Sequence, residues 1–131
     1  MRLGSGAAAA VLTAALVSPA VPAHAAPQSV EVIFGEGANA CRGGRVCLYE
    51  NFTLNERAPA RILMTTQKID WLGDYGFNDV TGSVCNFANY PVILYKDATY
   101  HGESVVFAVD ECNDVPISFN DEAASLQFLI R

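Results

Sequence analysis

The sequence predicts an all-β protein, built as an antiparallel two-sheet sandwich. Short segments rich in β-branched and aromatic residues recur about every ten residues, and Gly, Pro, Asn or Asp separates them. No segment after residue 29 keeps a helical apolar period for three turns. The predicted strands are Val30–Phe34, Val46–Glu50, Arg61–Thr65, Ser83–Phe87, Val92–Tyr95, Ser104–Val109 and Ser125–Ile130.

Two of these strands have informative side-chain patterns. In the last strand Leu126, Phe128 and Ile130 share one face, whereas Ser125 and Gln127 share the other. The run at 105–109 is apolar on both faces. We therefore expect it to be a central strand of the sandwich.

The first 25 residues have the order of a secretory signal peptide. Arg2 supplies a positive charge, residues 7–17 form an alanine-rich apolar run, and Ala23-His24-Ala25 has the form of a cleavage site. The apolar run is too short for a membrane span, which needs about 20 residues. We expect cleavage after Ala25 and secretion of residues 26–131 as one extracellular domain.

The expected mature chain is acidic, because loss of Arg2 changes the net charge from -6 to -7. It lacks the cationic surface with which proteins bind nucleic-acid phosphates. A hydrophobic share of 51% is too high for a disordered chain. We expect a monomer with one compact core, no nucleic-acid partner and no membrane span.

The four cysteines, Cys41, Cys47, Cys85 and Cys112, allow three disulfide pairings. We favour Cys41–Cys47 and Cys85–Cys112, because two glycines between the first pair permit a tight reversal. Export to an oxidising space favours disulfides. The alternative is a zinc site, which the lack of any CxxC pair disfavours.

The chain contains an internal repeat. Cys47-Leu48-Tyr49-Glu50 opens one half, and Ile93-Leu94-Tyr95-Lys96 opens the other. Each half later carries Phe-Asn-Asp-x-x-small-Ser-apolar, starting at Phe77 and at Phe119. Repeated signatures in a small domain indicate two copies of one supersecondary unit, at about 41–87 and 88–131.

The second unit also predicts a hairpin that folds over its own sheet. Tyr95 can pack beside Tyr100, while Gly102 adopts backbone angles that a side chain disfavours. The Ser of the closing motif can then hydrogen-bond the hairpin. The first unit has Leu54 and Glu56 in place of the second Tyr and the Gly, so we expect its hairpin to bend differently.

These motifs resemble the βγ-crystallin Greek keys, whose units carry Tyr/Phe-x4-Tyr/Phe-x-Gly and then Asn/Asp-Asn/Asp-x-x-Ser/Thr-Ser. The leader, the Cys-rich loop before Leu48-Tyr49, and Leu-Gly-Asp-Tyr-Gly-Phe-Asn-Asp at 72–79 also resemble a family of secreted bacterial peptidase inhibitors. Those inhibitors have this fold and are associated with metalloproteinases. The resemblance covers about residues 41–130 and implies two Greek-key units and an inhibitory function.

The same resemblance implies a calcium site made by the two Asn-Asp pairs, which are Asn78, Asp79, Asn120 and Asp121. Calcium binds six to eight oxygens, and the fifth motif position usually supplies a hydroxyl. This chain has Gly82 and Ala124 there. The alternative is that both pairs only form Asx-turns, so we expect weak calcium binding at most and no other cofactor.

The residues disfavour an enzyme. His101 is the one histidine of the expected mature chain, and we expect it on the surface of a hairpin. The sequence contains neither a GxSxG elbow nor an HExxH zinc motif. Paired cysteines leave no thiolate nucleophile.

We therefore expect a secreted inhibitor that blocks the cleft of an extracellular protease, a zinc metalloendopeptidase, with a rigid loop. Aromatic and Arg side chains are the usual interface anchors. The candidate contacts are Arg42, Arg45, Trp71, Tyr75, Phe87 and Tyr90, together with the irregular stretch 53–60. Core packing is the alternative for Trp71, and solubility for the two arginines. The alternative function is a βγ-crystallin-like structural or weak calcium-binding module without a protease target.

Overall fold

The computed structural model describes residues 29–130, whose eight strands form two antiparallel sheets. The larger sheet has the order β1-β3-β2-β4-β7. Its strands are β1 (Val30–Gly35), β2 (Val46–Tyr49), β3 (Ala60–Thr65), β4 (Ser83–Asn86) and β7 (Cys112–Asp114). The predicted all-β fold is confirmed. The predicted signal peptide lies outside the described residues.

The smaller sheet has the order β6-β5-β8, made of β5 (Val92–Asp97), β6 (His101–Phe107) and β8 (Ser125–Phe128). The expectation of a central strand at 105–109 is wrong, because β6 is an edge strand and Val106 is 51% exposed. The strands buried on both faces are β2 and β4. Short 3-10 segments connect the strands, and no helix among residues 29–130 is long and apolar enough to cross a membrane.

Each half of the chain contributes to the sheet of the other half. Strand β7 comes from the second half but pairs with β4, with Cys85 opposite Cys112. In return Ile69, from the first half, forms an isolated bridge with Leu126 on β8. This exchange makes the two Greek-key units a single fold. The sequence does not predict strand β7, because its three residues show no apolar alternation.

The main core fills the space between the sheets. It contains Val46, Leu48, Leu63 and Val84 from the larger sheet and Val92, Leu94, Phe107 and Leu126 from the smaller one. Leu72, Phe77 and Phe119 close it from the connecting segments. Burial of these side chains is the principal stabilising contribution, at roughly 1.5–3 kcal/mol for each large residue.

A second cluster covers the outer face of the larger sheet. Cys47 and Tyr49 on β2, Ile62 and Met64 on β3, and Cys85 on β4 point away from the main core and are fully buried. The segment 36–45 covers them, and Cys41 joins the cluster through its disulfide with Cys47. The Tyr49 hydroxyl donates a hydrogen bond to the Gly37 carbonyl at 2.8 Å.

The hairpin predicted in the second unit is present. The Tyr95 and Tyr100 rings lie 6.1 Å apart in an edge arrangement, and Gly102 has a φ of 87°. The Ser125 hydroxyl accepts a hydrogen bond from Tyr100 N–H at 3.0 Å and donates one to the Asp97 carbonyl at 2.7 Å. The closing Ser therefore fixes the hairpin, as the sequence predicted.

The first unit repeats this device with different residues. The Ser83 hydroxyl accepts from Leu54 N–H at 3.0 Å and donates to the Asn51 carbonyl at 2.6 Å. The chain then diverges, because Asn55 has a φ of 61° and Glu56 returns to -70°. The buried Asn55 side chain bonds the carbonyls of Gly35 and Arg61, each at 3.2 Å. The first hairpin thus has a left-handed asparagine one position before the place that Gly102 takes in the second.

Candidate functional site

Two loops meet at one end of the sandwich, which we call the disulfide end. They are the Cys41–Cys47 loop and the segment 87–91 that joins β4 to β5. They come together because β2 begins at Val46, directly opposite Asn86 at the end of β4. Gly44 N–H donates to the Phe87 carbonyl, and Phe87 N–H donates to the Arg45 carbonyl, each at 2.9 Å. The two loops therefore form one unit.

The Cys41–Cys47 loop projects into solvent from a fixed base. Its disulfide joins Cα atoms 5.9 Å apart. A Cβ placed on Gly43 or Gly44 would have no atom within 4 Å, so the tip of the loop has free space where side chains would project. The Arg42 side chain is 64% exposed. Its guanidinium lies 3.7 Å from the Glu31 carboxylate. Arg45 pairs with the same carboxylate at 2.7 Å and holds the base of the loop against β1.

The segment 87–91 is organised by the buried Asn86 side chain. Its amide nitrogen donates to the carbonyls of Tyr90 and Phe107, both at 3.0 Å, and its oxygen accepts from Ala88 N–H at 3.0 Å. All the hydrogen-bonding groups of a buried amide are thereby used. Phe87 is half-buried against the second cluster, whereas Tyr90 is 43% exposed. Tyr90 is thus an exposed aromatic side chain on a well-anchored loop.

Two adjoining clefts open at the disulfide end, and Tyr90 lines the smaller one. The smaller has a volume of about 180 Å³ and is lined by Gly44, Thr66, Ala88, Asn89, Tyr90, Phe128 and Ile130. The larger, of about 520 Å³, shares Thr66, Phe128 and Ile130 and adds Gln67, Lys68 and Gln127. Tyr90 is a predicted contact, but the clefts could not be predicted, because their other residues come from segments far apart along the chain.

Trp71 and Tyr75 lie elsewhere. Trp71 precedes the 3-10 segment Leu72–Tyr75, and Tyr75 ends it. Leu72 N–H donates to the Ala124 carbonyl at 2.7 Å, near the start of β8. The clefts lie at the other end of β8. Trp71 is 45% exposed, so the alternative of core packing is wrong. Its ring lies against Gly73, where a Cβ would overlap it. The structure therefore brings together Arg42, Arg45, Phe87 and Tyr90 and separates Trp71 and Tyr75 from them.

The irregular stretch 53–60 lies at the opposite end of the larger sheet. Thr53 N–H donates to the Asp114 carboxylate at 2.7 Å. A cleft of about 360 Å³ lies beside this bond and is lined by Thr53, Leu54, Glu56 and residues 112–114. His101 is exposed, as expected, and its Nδ1 lies 3.2 Å from the Thr99 hydroxyl. Neither feature adjoins the disulfide end.

Reciprocal backbone hydrogen bonds join the segments that carry the two Asn-Asp motifs. Asp79 N–H donates to the Ala123 carbonyl at 2.9 Å, and Asp121 N–H donates to the Thr81 carbonyl at 3.1 Å. Both aspartates have left-handed backbones, with φ near 60°. Each motif therefore has a structural role in joining the two units.

The same region fits a full calcium site poorly. Two buried oxygens, Asn78 Oδ1 and Thr81 Oγ1, have no hydrogen-bond partner. However, a Cβ on Gly82 would lie 2.8 Å from the Asn51 carbonyl carbon, so no hydroxyl side chain fits at that motif position. Residues 29–130 contain no group of three or more His, Cys, Asp or Glu side chains placed to hold a metal ion.

Residues 36–107 match the model of peptidase inhibitor family I36. The chain belongs to this family of peptidase inhibitors. Membership confirms the prediction of an inhibitor that is not an enzyme, and it implies a peptidase as partner. The I36 match includes both loops of the disulfide end. No curated protein has a significantly similar sequence.

Solved structures show the fold of this I36 inhibitor. A structure concerned with the evolution of the eye-lens βγ-crystallin domain fold has a TM-score of 0.63 at 20% identity, covering 77% of this chain and 99% of that one. A βγ-crystallin from Ciona intestinalis gives 0.57 at 20%, covering 66% and 100%. A βγ-crystallin domain from Clostridium beijerinckii gives 0.53 at 19%, covering 63% and 94%. The fold is that of a βγ-crystallin.

Proposed function

We propose that this protein is secreted and inhibits an extracellular zinc metalloendopeptidase by placing the disulfide end in its cleft. Export agrees with the leader sequence and with two disulfides, which persist in oxidising compartments. Family membership supports a peptidase target. The metalloendopeptidase class comes from the resemblance of residues 72–79 and the Cys-rich loop to inhibitors of that class.

The observation that supports this end most strongly is the paired loop. An inhibitor must present a segment whose conformation is already fixed, because ordering a flexible loop weakens association. The Cys41–Cys47 disulfide, the two backbone bonds to Phe87 and the Arg45–Glu31 ion pair supply that rigidity. The open tip at Gly43 and Gly44 lets the loop enter a concave site.

We assign Tyr90 as the apolar anchor and Arg42 as the exposed charged contact. Hot spots at protein interfaces are enriched in Tyr and Arg. Exposed apolar residues of the adjoining clefts, chiefly Ile130, extend the surface. Thiolate coordination of the catalytic zinc is not part of this mechanism, because all four cysteines are in disulfides.

The test is an inhibition titration of the exported protein against a thermolysin-like metalloendopeptidase and a subtilisin-like serine peptidase, with and without added calcium. We expect dose-dependent loss of the metalloendopeptidase activity. Inhibition of the serine peptidase alone would contradict the target class and leave the family assignment intact. Loss of neither activity would contradict the proposal.

The alternative is a βγ-crystallin-like structural or weak calcium-binding module. The two unpartnered oxygens of Asn78 and Thr81 favour it, whereas the lack of space at Gly82 opposes it. We expect calcium to bind weakly or not at all. Submicromolar binding in a calorimetric titration, together with no inhibition of either peptidase, would establish the alternative.

A further inference from the structure

Strand β1 forms an open edge of the larger sheet. It pairs only with β3, so its other side carries backbone groups without a partner strand among the described residues. It is six residues long, which is as long as β3 and longer than β2 or β4. Such an edge is a template for pairing with another chain.

Hydrogen bonds of the neighbouring residues show which groups of β1 point outward. Arg61, opposite Phe34, directs its carbonyl to Glu50 N–H at 3.1 Å and its N–H to the Glu50 carboxylate at 3.0 Å, both toward β2. Thr66 N–H bonds the Ser29 carbonyl at 3.1 Å. Because alternate residues of an antiparallel strand bond the same neighbour, the outward set is Val30, Val32 and Phe34.

The other strand edges are protected. Strand β7 has only three residues, and the outer edge of β8 is occupied by the Ile69 bridge. Strand β6 pairs with β5 through a register shift, contains Gly102, and carries Glu103 in an ion pair with Lys96 at 3.1 Å. Short strands, bulges and charges are the usual means of preventing edge pairing.

Strand β1 is neither short nor bulged. It contains neither Lys nor Pro, and the carboxylate of its one charged residue, Glu31, pairs with Arg45. Val32 is 38% exposed and Phe34 is 71% exposed, and neither belongs to either buried cluster. The residues whose backbone points outward therefore also present exposed apolar side chains.

We propose that β1 pairs antiparallel with β1 of a second copy of this chain, so that the larger sheet continues from one copy into the other. A two-fold axis at Val32 sets Val32 opposite itself and Val30 opposite Phe34. This register uses every outward group and forms about six backbone hydrogen bonds. It places Glu31 opposite Ile33, so no like charges meet. The apolar side chains of both strands then cover one another.

The proposed dimer contact, β1 against β1, does not include the two loops of the disulfide end. The two strands run in opposite directions, so the disulfide ends of the two copies point away from each other. Each copy can still enter a peptidase cleft. The inference is therefore independent of the proposed function.

Sedimentation velocity of the exported protein from micromolar to millimolar concentration tests it. We expect a concentration-dependent dimer. Val32→Lys puts two ammonium groups opposite each other at the axis and should raise the dissociation constant at least tenfold. The matched control is Val106→Lys, because Val106 is an exposed valine on the protected β6 edge. This variant should leave the dissociation constant of the dimer unchanged. A monomer at every concentration, or a Val32→Lys dimer as tight as the unmodified one, would overturn the proposal.

Amide hydrogen exchange of the unmodified protein gives a second readout that needs no variant. At high concentration the amides of Val30, Val32 and Phe34 should exchange at least tenfold more slowly than at low concentration, while those of β6 should not change. Slowed exchange confined to β6, or unchanged exchange along β1, would also overturn the proposed dimer.

Discussion

The Ser83 hydroxyl accepts a hydrogen bond from the Leu54 backbone N–H at 3.0 Å. Ser125 makes the equivalent bond to Tyr100, 3.0 Å long, in the other half of the chain. Leu54 and Tyr100 differ completely in side-chain chemistry, yet both have left-handed backbones, with φ of 53° and 62°. The backbone fold of each hairpin thus depends on the serine more than on the aromatic residue.

Replacing either serine should therefore destabilise the domain. Ser83→Ala leaves the Leu54 N–H without its acceptor, and Ser125→Ala does the same at Tyr100, which we expect to cost about 1–3 kcal/mol each. Urea denaturation measures the loss. Ser104→Ala is the control, because Ser104 is exposed on β6. Equal stability of all three variants would contradict this role.

Introducing the hydroxyl of the βγ-crystallin motif at the fifth position of the first Asn-Asp motif should not create a calcium site. A Cβ at position 82 lies 2.8 Å from the Asn51 carbonyl carbon, so Gly82→Ser should destabilise the protein by about 1–3 kcal/mol without improving calcium binding. Ala124→Ser is the matched variant, since a Cβ already exists there. Thermal unfolding with and without calcium compares them. A more stable Gly82→Ser protein in calcium would show that we have misjudged the site.

Alkaline pH should lower the free energy of unfolding, because Tyr49 is buried in the cluster on the outer face of the larger sheet. Burial, and secondarily the nearby charge of Glu56, raises the pKa of Tyr49 from 10.0 to about 12. Between these pH values the folded protein retains a proton that the unfolded chain has lost, so the free energy of unfolding falls as pH rises. Urea denaturation from pH 9 to 12 measures this fall.

Tyr49→Phe is the control for that titration. It should reduce stability by about 1 kcal/mol at neutral pH, because the bond to the Gly37 carbonyl is lost. The free energy of unfolding of this variant should also decrease less at alkaline pH. Absorbance of phenolate at 295 nm offers an independent check, and titration of all five tyrosines together near pH 10 would contradict the buried assignment.

Inhibition should depend on Tyr90 and not on Trp71. Both are aromatic and similarly exposed, at 43% and 45%, but only Tyr90 lies at the disulfide end. Tyr90→Ala should raise the inhibition constant about 30-fold or more, corresponding to a hot spot of about 2 kcal/mol. Trp71→Ala should change it less than threefold. The reverse order would move the site to the Leu72–Tyr75 segment.

Local chemistry explains what could be predicted from the sequence. The Tyr95–Tyr100 hairpin, the glycine at 102 and the closing Ser are set by residues within one unit, so their spacing identifies the fold. The Cys41–Cys47 pairing is likewise local, because Gly43 and Gly44 permit the reversal. The fold class and the Cys41–Cys47 disulfide followed from such signals, and the Cys85–Cys112 disulfide is the pair that remains.

Features created by distant segments could not be predicted. Strand β7 exists because β4 and the Cys85–Cys112 disulfide hold three residues that have no pattern of their own. The apolar run at 105–109 suggested a central strand, but only the sheet order reveals that β6 is an edge. The convergence of Arg42 and Tyr90 depends in the same way on the pairing of β2 with β4.

Hydrogen exchange of the inhibitor bound to a thermolysin-like zinc metalloendopeptidase tests the central claim most directly. The claim predicts that slowed exchange on binding is concentrated in the amides of residues 42–45 and 87–90, at the disulfide end. Slowed exchange centred on residues 71–76, or no change at the disulfide end in a complex that inhibits the enzyme, would contradict it.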